Sequence, residues 1–450
     1  MEPQLWIFSK AMASERNKRN NGISARNLVR MMLLLVVWSI GTIVIFSIWV
    51  SLSVRDNELV FYNNELLRSR PDHEQFQRLM KNAPTCTTIV AEDVTFTLVT
   101  QLSEERLWML QHHCERWDNH PISIALFTRR TRVEVEEDLT KLGCILDTLI
   151  ISIHYEDGDY PINHLRNLAI SAVQTTHFVY VDVDFWPSKG MHAALSTTVT
   201  TNELVKDDKL AIVVPVFQID REGPGCHDHN DSTRKCDASN IARMVDDRPS
   251  LFELILSRQA HIFDPTNPGG HNSTGYLEWI TQDHLELRDI KCVQSNRYEP
   301  YFACRFCNVL PPFQEHFTGY GKNKLTWAMQ IRRSGYRFMV RTSFTILSPT
   351  LNNSLKMRAF LFQVIRSSFL LHFPHVESAA RESWNERPNE LDYGRNPRII
   401  VDVDWNSYKR GAVDNLYLQF KAWLSETKDE SRVPMCYEST DDESNLWVDR

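Results

Sequence analysis

The sequence predicts an α/β fold, a sheet covered by helices on both faces, carried behind a single membrane-spanning helix. Three observations predict it. From Val94 onward, short β-prone runs alternate with helical ones, the order expected of a sheet with helices on both faces. A charge-free apolar stretch, residues 31–54, precedes them and is long enough to cross a bilayer as a helix. One β-prone run, "HFVYVDVDF", is apolar on both faces and ends in two carboxylates, as a buried central strand does when its carboxyl end carries a site.

Taken in order, residues 1–30 form a tail in which Lys10, Arg16, Lys18, Arg19, Arg26 and Arg30 stand against only Glu2 and Glu15. By the positive-inside rule this tail stays in the cytosol and everything after Val54 is exported. The apolar run is longer than the core of a cleaved signal peptide, and no small-x-small site follows it closely, so it reads as an uncleaved anchor. Residues 55–85 are polar, contain Pro71 and read as a stem. A catalytic domain is expected over residues 86–430 and an acidic tail over 431–450.

Within the domain, "TFTLVT" predicts a strand and "SEERLWMLQHHCERW" a helix, with Ser103 at its N-cap and Arg106 in its first turns. "ISIALFT" predicts a strand, "RVEVEEDLTKLG" a helix stopped by Gly143, and "TLIISIHY" a strand. "PINHLRNLAISAVQTT" follows as a helix, then "HFVYVDVDF" and "LAIVVPVFQ" as one strand each. Heptads, solenoid repeats and low-complexity blocks are absent from the sequence.

At 450 residues, 42% hydrophobic and with a net charge of -7, the chain lacks the basic surplus of a nucleic-acid binder. Its 12 Trp, 22 Phe and 13 Tyr exclude disorder as an overall description. All nine cysteines and three Asn-x-Ser/Thr sequons, at Asn230, Asn272 and Asn352, lie beyond the anchor, in keeping with an oxidising lumen. Cys226 and Cys236 bracket a polar loop and read as a disulfide, in preference to a zinc site using His227 and His229. In "CRFC", Cys304 and Cys307 read as two separately paired cysteines rather than a redox pair. The odd total leaves at least one thiol unpaired.

In an extended strand side chains two apart share a face, so Asp182 and Asp184 are expected to point together. Such a pair offers hard oxygen ligands for Mn²⁺ or Mg²⁺ shared with phosphate oxygens, a metal that would neutralise charge on a departing diphosphate. In the preceding helix Leu165, Leu168, Ala169 and Ala172 form an apolar stripe, and Asn163, Arg166 and Asn167 a polar one near its start. The polar stripe suits an anion at the helix N-terminus or, equally, a solvated face. A second Asp-Val-Asp, Asp402 to Asp404, follows a turn-rich stretch with two prolines and is expected to end a short peripheral strand.

The blocks "TLVTQLSEERLWML", "YPINHLRNLAI", "FVYVDVDFWPS", "VVPVFQ", "TGYLEW", "YEPYFACR" and "FQEHFTGYGKNKLTW" resemble, in this order, the LARGE-type glycosyltransferases, family 49, which include the β-1,4-glucuronyltransferases that build matriglycan on dystroglycan. The resemblance spans residues 94–354. It implies a GT-A nucleotide-diphospho-sugar transferase fold, a Rossmann-like mixed sheet, with Mn²⁺, a UDP-sugar donor and inversion at the anomeric carbon. It implies Asp182 and Asp184 as the metal and diphosphate motif and Arg166 and Asn167 on the donor side. Thr274 and Trp279 would border the acceptor. Glu315 is implied as the base, a role an inverting transferase needs on the acceptor side. Gly319 and Gly321 match the family's turn, with Lys322, Asn323 and Lys324 opening the helix after it.

The family continues with a strand ending in a metal-binding His, and Ser348 stands at the place matched to it. His372 and His375, in "HFPH", lie further along and could substitute for it. The expectation is therefore a metal resting on Asp182, Asp184, donor phosphates and water. The function expected is transfer of glucuronic acid or N-acetylglucosamine from a UDP-sugar to a glycan or glycoprotein hydroxyl, by a single-pass type II Golgi membrane protein, alone or as a homo- or hetero-oligomer. The alternatives are an inactive relative that binds carbohydrate or scaffolds a partner and, third, a metal-dependent hydrolase.

Overall fold

A computed structural model describes residues 83–155, 160–224, 226, 233–281, 287–341, 368–376 and 409–436. The chain divides at residue 68, and all described residues belong to the second unit. The predicted anchor at residues 31–54, the sequons at Asn230 and Asn352, Ser348, and the second Asp-Val-Asp lie outside the described residues. Among the described residues no helix is long and apolar enough to cross a membrane.

The strands are β1 (Phe96–Ser103), β2 (Ile122–Thr128), β3 (Leu149–Tyr155), β4 (His177–Tyr180), β5 (Phe185–Pro187), β6 (Leu210–Val214), β7 (Val216–Ile219), β8 (Ala260–Ile262), β9 (Leu287–Asp289), β10 (Tyr301–Arg305), β11 (Arg337–Arg341) and β12 (Leu370–His372). Eight form one sheet in the order β3-β2-β1-β4-β10-β6-β11-β9, and four form a second in the order β5-β12-β7-β8. In the large sheet β3, β2, β1 and β4 run parallel, whereas β10 lies antiparallel to both β4 and β6. The sheet is therefore mixed. β1 and β2 are buried along both faces, which explains why their sequences read as continuous apolar runs.

The helices that matter here are α1 (Leu110–Arg116), α2 (Arg132–Lys141), α3 (Ile162–Ser171), α4 (Asn323–Arg333) and α5 (Lys409–Glu426). α2 opens with a capping box, Thr131 and Glu134 each satisfying the other's backbone. The predicted helix after Ser103 begins instead as a 3₁₀ segment, Glu104–Met109, and the Ser103 hydroxyl donates to Glu105 rather than capping it. α3 lays Leu165, Ala169 and Ile170 into the core, and Ser123 on β2 donates to the Ala169 carbonyl, 2.7 Å away.

Two predicted strands are shorter than expected. "LAIVVPVFQ" breaks at Pro215, which has no N–H for a ladder, so β6 stays in the large sheet and β7 enters the small one. "HFVYVDVDF" breaks after Tyr180, where β4 ends.

Disulfides join Cys86–Cys307, Cys114–Cys144, Cys226–Cys236 and Cys292–Cys436. Cys226 and Cys236 pair as the sequence predicts. Of "CRFC", Cys307 is paired while Cys304 is a free, buried thiol. The Cys292–Cys436 bond and the Val293–Met435 bridge tie the chain up to residue 436 into the fold, beyond the boundary expected at 430.

Candidate active site

The site grows from α3. Its polar stripe is neither solvated nor open to a phosphate: Asn163, Arg166 and Asn167 are 0%, 1% and 2% exposed. A loop ahead of α4 covers them. Asn163 donates to the Gln314 carbonyl at 2.6 Å, and Asn167 exchanges hydrogen bonds with the Phe313 backbone at 2.9 Å each way. The Arg166 guanidinium lies over the Tyr180 and Phe313 rings, 5.2 and 5.0 Å from their centroids. It donates to Tyr180, Asn163, Asn323 and Asp182. Its donors are taken up inside the protein, so it positions Asp182 rather than standing free for an anion.

The two carboxylates do not share the face of a strand. A turn closed by the Phe185 N–H on the Asp182 carbonyl, 2.9 Å, follows β4, and β5 departs into the other sheet. Asp182 Oδ1 accepts from Gln101 and Arg166, each at 2.9 Å, and from Tyr180. Its Oδ2 accepts from Tyr301 at 2.6 Å and pairs with Lys324 at 3.1 Å. Burial opposes its charge, but Lys324, Arg166 and the two phenols outweigh that and hold the carboxyl well below the usual carboxylate range.

Asp184 differs. Its Oδ2 pairs with Arg106 at 2.9 Å and lies 3.0 Å from His375 Nε2 and 3.9 Å from His372 Nε2. Its Oδ1 is buried with no hydrogen-bond partner. His375 Nδ1 lies 2.6 Å from the Val376 carbonyl, which can only accept, so Nδ1 carries the proton. In the neutral ring Nε2 is then a bare lone pair facing a carboxylate oxygen, an arrangement that requires a proton or a cation between them. Burial lowers His372 to about 4, keeping it neutral and able to ligate at neutral pH. The ligand atoms of Asp184, His372 and His375 all lie within 4.8 Å of one another. One carboxylate and two imidazoles form a donor set suited to a first-row divalent ion, so these residues fit a metal.

His372 ends β12, with His375 just beyond it, and β12 pairs antiparallel with β5 in the register His372 opposite Phe185. The Phe373 N–H donates to the Asp184 carbonyl at 2.7 Å. A strand ending in His is thus present among the described residues, further along the chain than Ser348. A metal resting on the two aspartates without an imidazole is corrected: His372 and His375 stand beside Asp184, and Asp182 is engaged elsewhere.

Glu315 accepts from Asn167 at 2.8 Å on one oxygen and lies 3.1 Å from His164 Nδ1 on the other. Burial pushes its carboxyl up, but those hydrogen bonds prevail and hold it below the ordinary glutamate value; His164 is raised in return. The turn after it needs left-handed backbone at Gly319, Gly321 and Lys322, with φ of 68°, 102° and 56°. Lys324 reaches Asp182 and Tyr301, and Asn323 accepts from Arg166. Lys322 turns away, pairing with Asp414 at 3.0 Å and lying over the Tyr417 ring of α5. The expected donor-side place for Lys322 is corrected on that ground.

Thr274 and Trp279 are also not where the sequence suggests. Thr274 is buried against the Tyr298 hydroxyl, and Trp279 is fully buried among Phe217, Phe252 and Phe369. Both are core residues and border no open surface. Sequence reasoning missed Gln101, Tyr180 and Tyr301 as partners of Asp182 and Arg106 as a partner of Asp184. Tyr301 does fall inside one of the quoted blocks, "YEPYFACR".

Residues 152–346 match a family model described as the glycosyl-transferase for dystroglycan. Over these residues the chain is similar to that glycosyltransferase family. The matched segment contains Asp182, Asp184 and Glu315 and stops short of His372 and His375. The glycosyltransferase-like protein gnt14 of Dictyostelium discoideum is 29% identical, over 54% of this chain and 35% of its own. The xylosyl- and glucuronyltransferase LARGE2 of Mus musculus is 29% identical, over 54% of this chain and 32% of its own. LARGE1 of Homo sapiens is 28% identical over 64% of this chain and 32% of its own. The chain thus spans about a third of the length of these relatives. Among solved structures, GalNAc-T7 with UDP, GalNAc and Mn²⁺ overlays 75% of this chain and 55% of its own at 12% identity, with a TM-score of 0.35. A likeness that loose carries no site across.

Proposed function

We propose that this protein is a metal-dependent, inverting glycosyltransferase of the GT-A type, which moves a sugar from a UDP-sugar to a glycan hydroxyl in the Golgi lumen. The observation that carries this reading is the unpartnered buried oxygen of Asp184 beside two imidazoles. Asp184, His372 and His375 would hold Mn²⁺ or Mg²⁺. Bound there, the ion would supply Lewis-acid neutralisation of the charge on the departing UDP.

The chain's own residues do the remaining work. Arg106 pairs with Asp184 and keeps the carboxylate ionised and aimed. Asp182, Arg166, Tyr180, Tyr301 and Lys324 form a buried network that fixes the floor of the site before substrate arrives. Glu315, kept charged by Asn167 and His164, takes the proton of the attacking hydroxyl.

Four disulfides support an oxidising compartment, and with the anchor at residues 31–54 they favour a type II Golgi topology. The names of the relatives, xylosyl- and glucuronyltransferases, support a UDP-sugar donor, with glucuronic acid and N-acetylglucosamine as the sugars proposed. Incubating the full-length chain with each UDP-sugar and Mn²⁺, and following UDP release, tests this. Metal-dependent release is expected from at least one donor. Donor binding with no release in any case would make the protein a binder rather than a transferase.

A further inference from the structure

The stretch that bears Asp184 is gripped by a helix the proposed chemistry does not use. α1 carries His113 and Arg116 one turn apart on one face. His113 is fully buried, and its Nε2 lies 2.8 Å from the Val183 carbonyl oxygen. A carbonyl can only accept, so Nε2 carries the proton. Nδ1 is buried without a partner, and burial lowers the ring to about 4, so the imidazole is neutral and gives one donor. Arg116 donates to the Pro187 carbonyl at 3.4 Å and to the Met244 and Val245 carbonyls at 2.9 and 3.0 Å. His112 stacks on Trp186, ring centroids 3.8 Å apart. Cys114, beside His113, is bonded to Cys144, which ties the helix to the chain after α2.

The place of Val183 gives the His113 bond its consequence. Residues 181–184 lie between β4 and β5. The Val183 carbonyl belongs to the peptide unit that ends at the Asp184 nitrogen, and that unit is planar. Fixing the carbonyl therefore fixes the plane from which Asp184 departs. On the other side of the same residue, the Phe373 N–H holds the Asp184 carbonyl at 2.7 Å. Asp184 is thus held through both of its peptide units, by α1 on one side and by the residue after β12 on the other. The second hold brings His372 with it; the first comes from His113.

We infer that His113 is a positioning residue for the metal site: by holding the Val183 carbonyl it aims the Asp184 carboxylate at the imidazoles of His372 and His375. The inference rests on the metal-dependent reading of that cluster. His113 acts through the backbone and would itself touch neither ion nor substrate.

The test measures Mn²⁺ affinity of the full-length chain by calorimetry, without and with UDP, for the wild type, His113→Phe, His113→Asn and His113→Gln. Phe keeps a ring but has no donor, Asn is too short to reach the place of Nε2, and Gln sets an amide N–H there. His113→Phe and His113→Asn should bind Mn²⁺ about tenfold or more weakly, the scale of losing a group that orients a ligand. His113→Gln should stay within about threefold of wild type. Leu424→Ala is the control for general loosening. It opens a cavity in the smaller core cluster, which contains no residue of α1 or β5, and should lower the melting temperature without changing Mn²⁺ affinity. Wild-type affinity in His113→Phe and His113→Asn overturns the inference. An equal loss in Leu424→Ala, or a loss that Gln does not restore, also overturns it. Should His113→Phe fail to fold, the Asn and Gln variants decide between them. A wild type that binds no Mn²⁺ in either condition defeats the metal-dependent reading itself, and the role of His113 with it.

Discussion

Asp182 and Asp184 stand two residues apart at one sheet edge, yet five donors converge on the first, while the second keeps a buried oxygen with no partner. A carboxylate offers about four lone-pair sites, so Asp182 is saturated and Asp184 is not. The difference arises where the two sheets part. Asp182 stays with β4 and faces α3, β10 and α4, whereas Asp184 opens β5 and meets β12. One carboxylate organises the floor of the site and the other waits for a ligand.

Substituting the two in turn tests that division most severely. Asp184→Ala should abolish metal-dependent turnover, by about three orders of magnitude or more, and cost less stability than Asp182→Ala, because it strands only the partly exposed Arg106. Asp182→Ala should instead cost about 3–5 kcal/mol of stability, because Arg166 and Lys324 lose their buried counter-charge. Urea denaturation and turnover measured on both variants separate the two roles. A stable Asp182→Ala protein that has lost metal binding would reverse the comparison.

Glu315→Gln comes next in size. It should retain UDP-sugar affinity and lose about two orders of magnitude or more in turnover, the usual worth of a positioned base. Wild-type turnover would remove Glu315 from the reaction.

The smallest effect is on pH. Glu315 is held below its ordinary 4.5, so folding favours its charged form. That contribution is fully present above 4.5 and is lost as pH falls through the lower, folded value. The acid limb of kcat/KM should therefore lie below the ordinary glutamate value and move up in His164→Ala, which removes a hydrogen bond to the carboxylate. An unmoved limb would show that His164 does not hold Glu315 ionised.

The sequence shows the parallel strands well because their signal is local. β2 matches its expected span, residues 122–128, since β-prone residues and flanking breaks coincide there. The end of β4 is not local: residues 181–184 leave the sheet because β5 pairs with β12, more than 180 positions on. The period-two argument that aimed Asp182 and Asp184 together failed for that reason. The polar stripe of α3 was visible, but whether water or a loop covers such a stripe depends on residues around Phe313 and Gln314, far along the chain. His372 and His375 could be named from the sequence as substitutes for a His at Ser348, but not placed beside Asp184, because that contact depends on the pairing of β12 with β5 and not on spacing along the chain.

Calorimetric titration of Mn²⁺ into the nucleotide-free protein tests the central claim most directly, in wild type and in the His372→Ala, His375→Ala double variant. With Asp184 and two imidazoles as ligands, the wild type should bind one ion without UDP, and the double variant should lose about 100-fold or more of that affinity. Binding that appears only when UDP is added, or that the double variant leaves unchanged, would contradict the account.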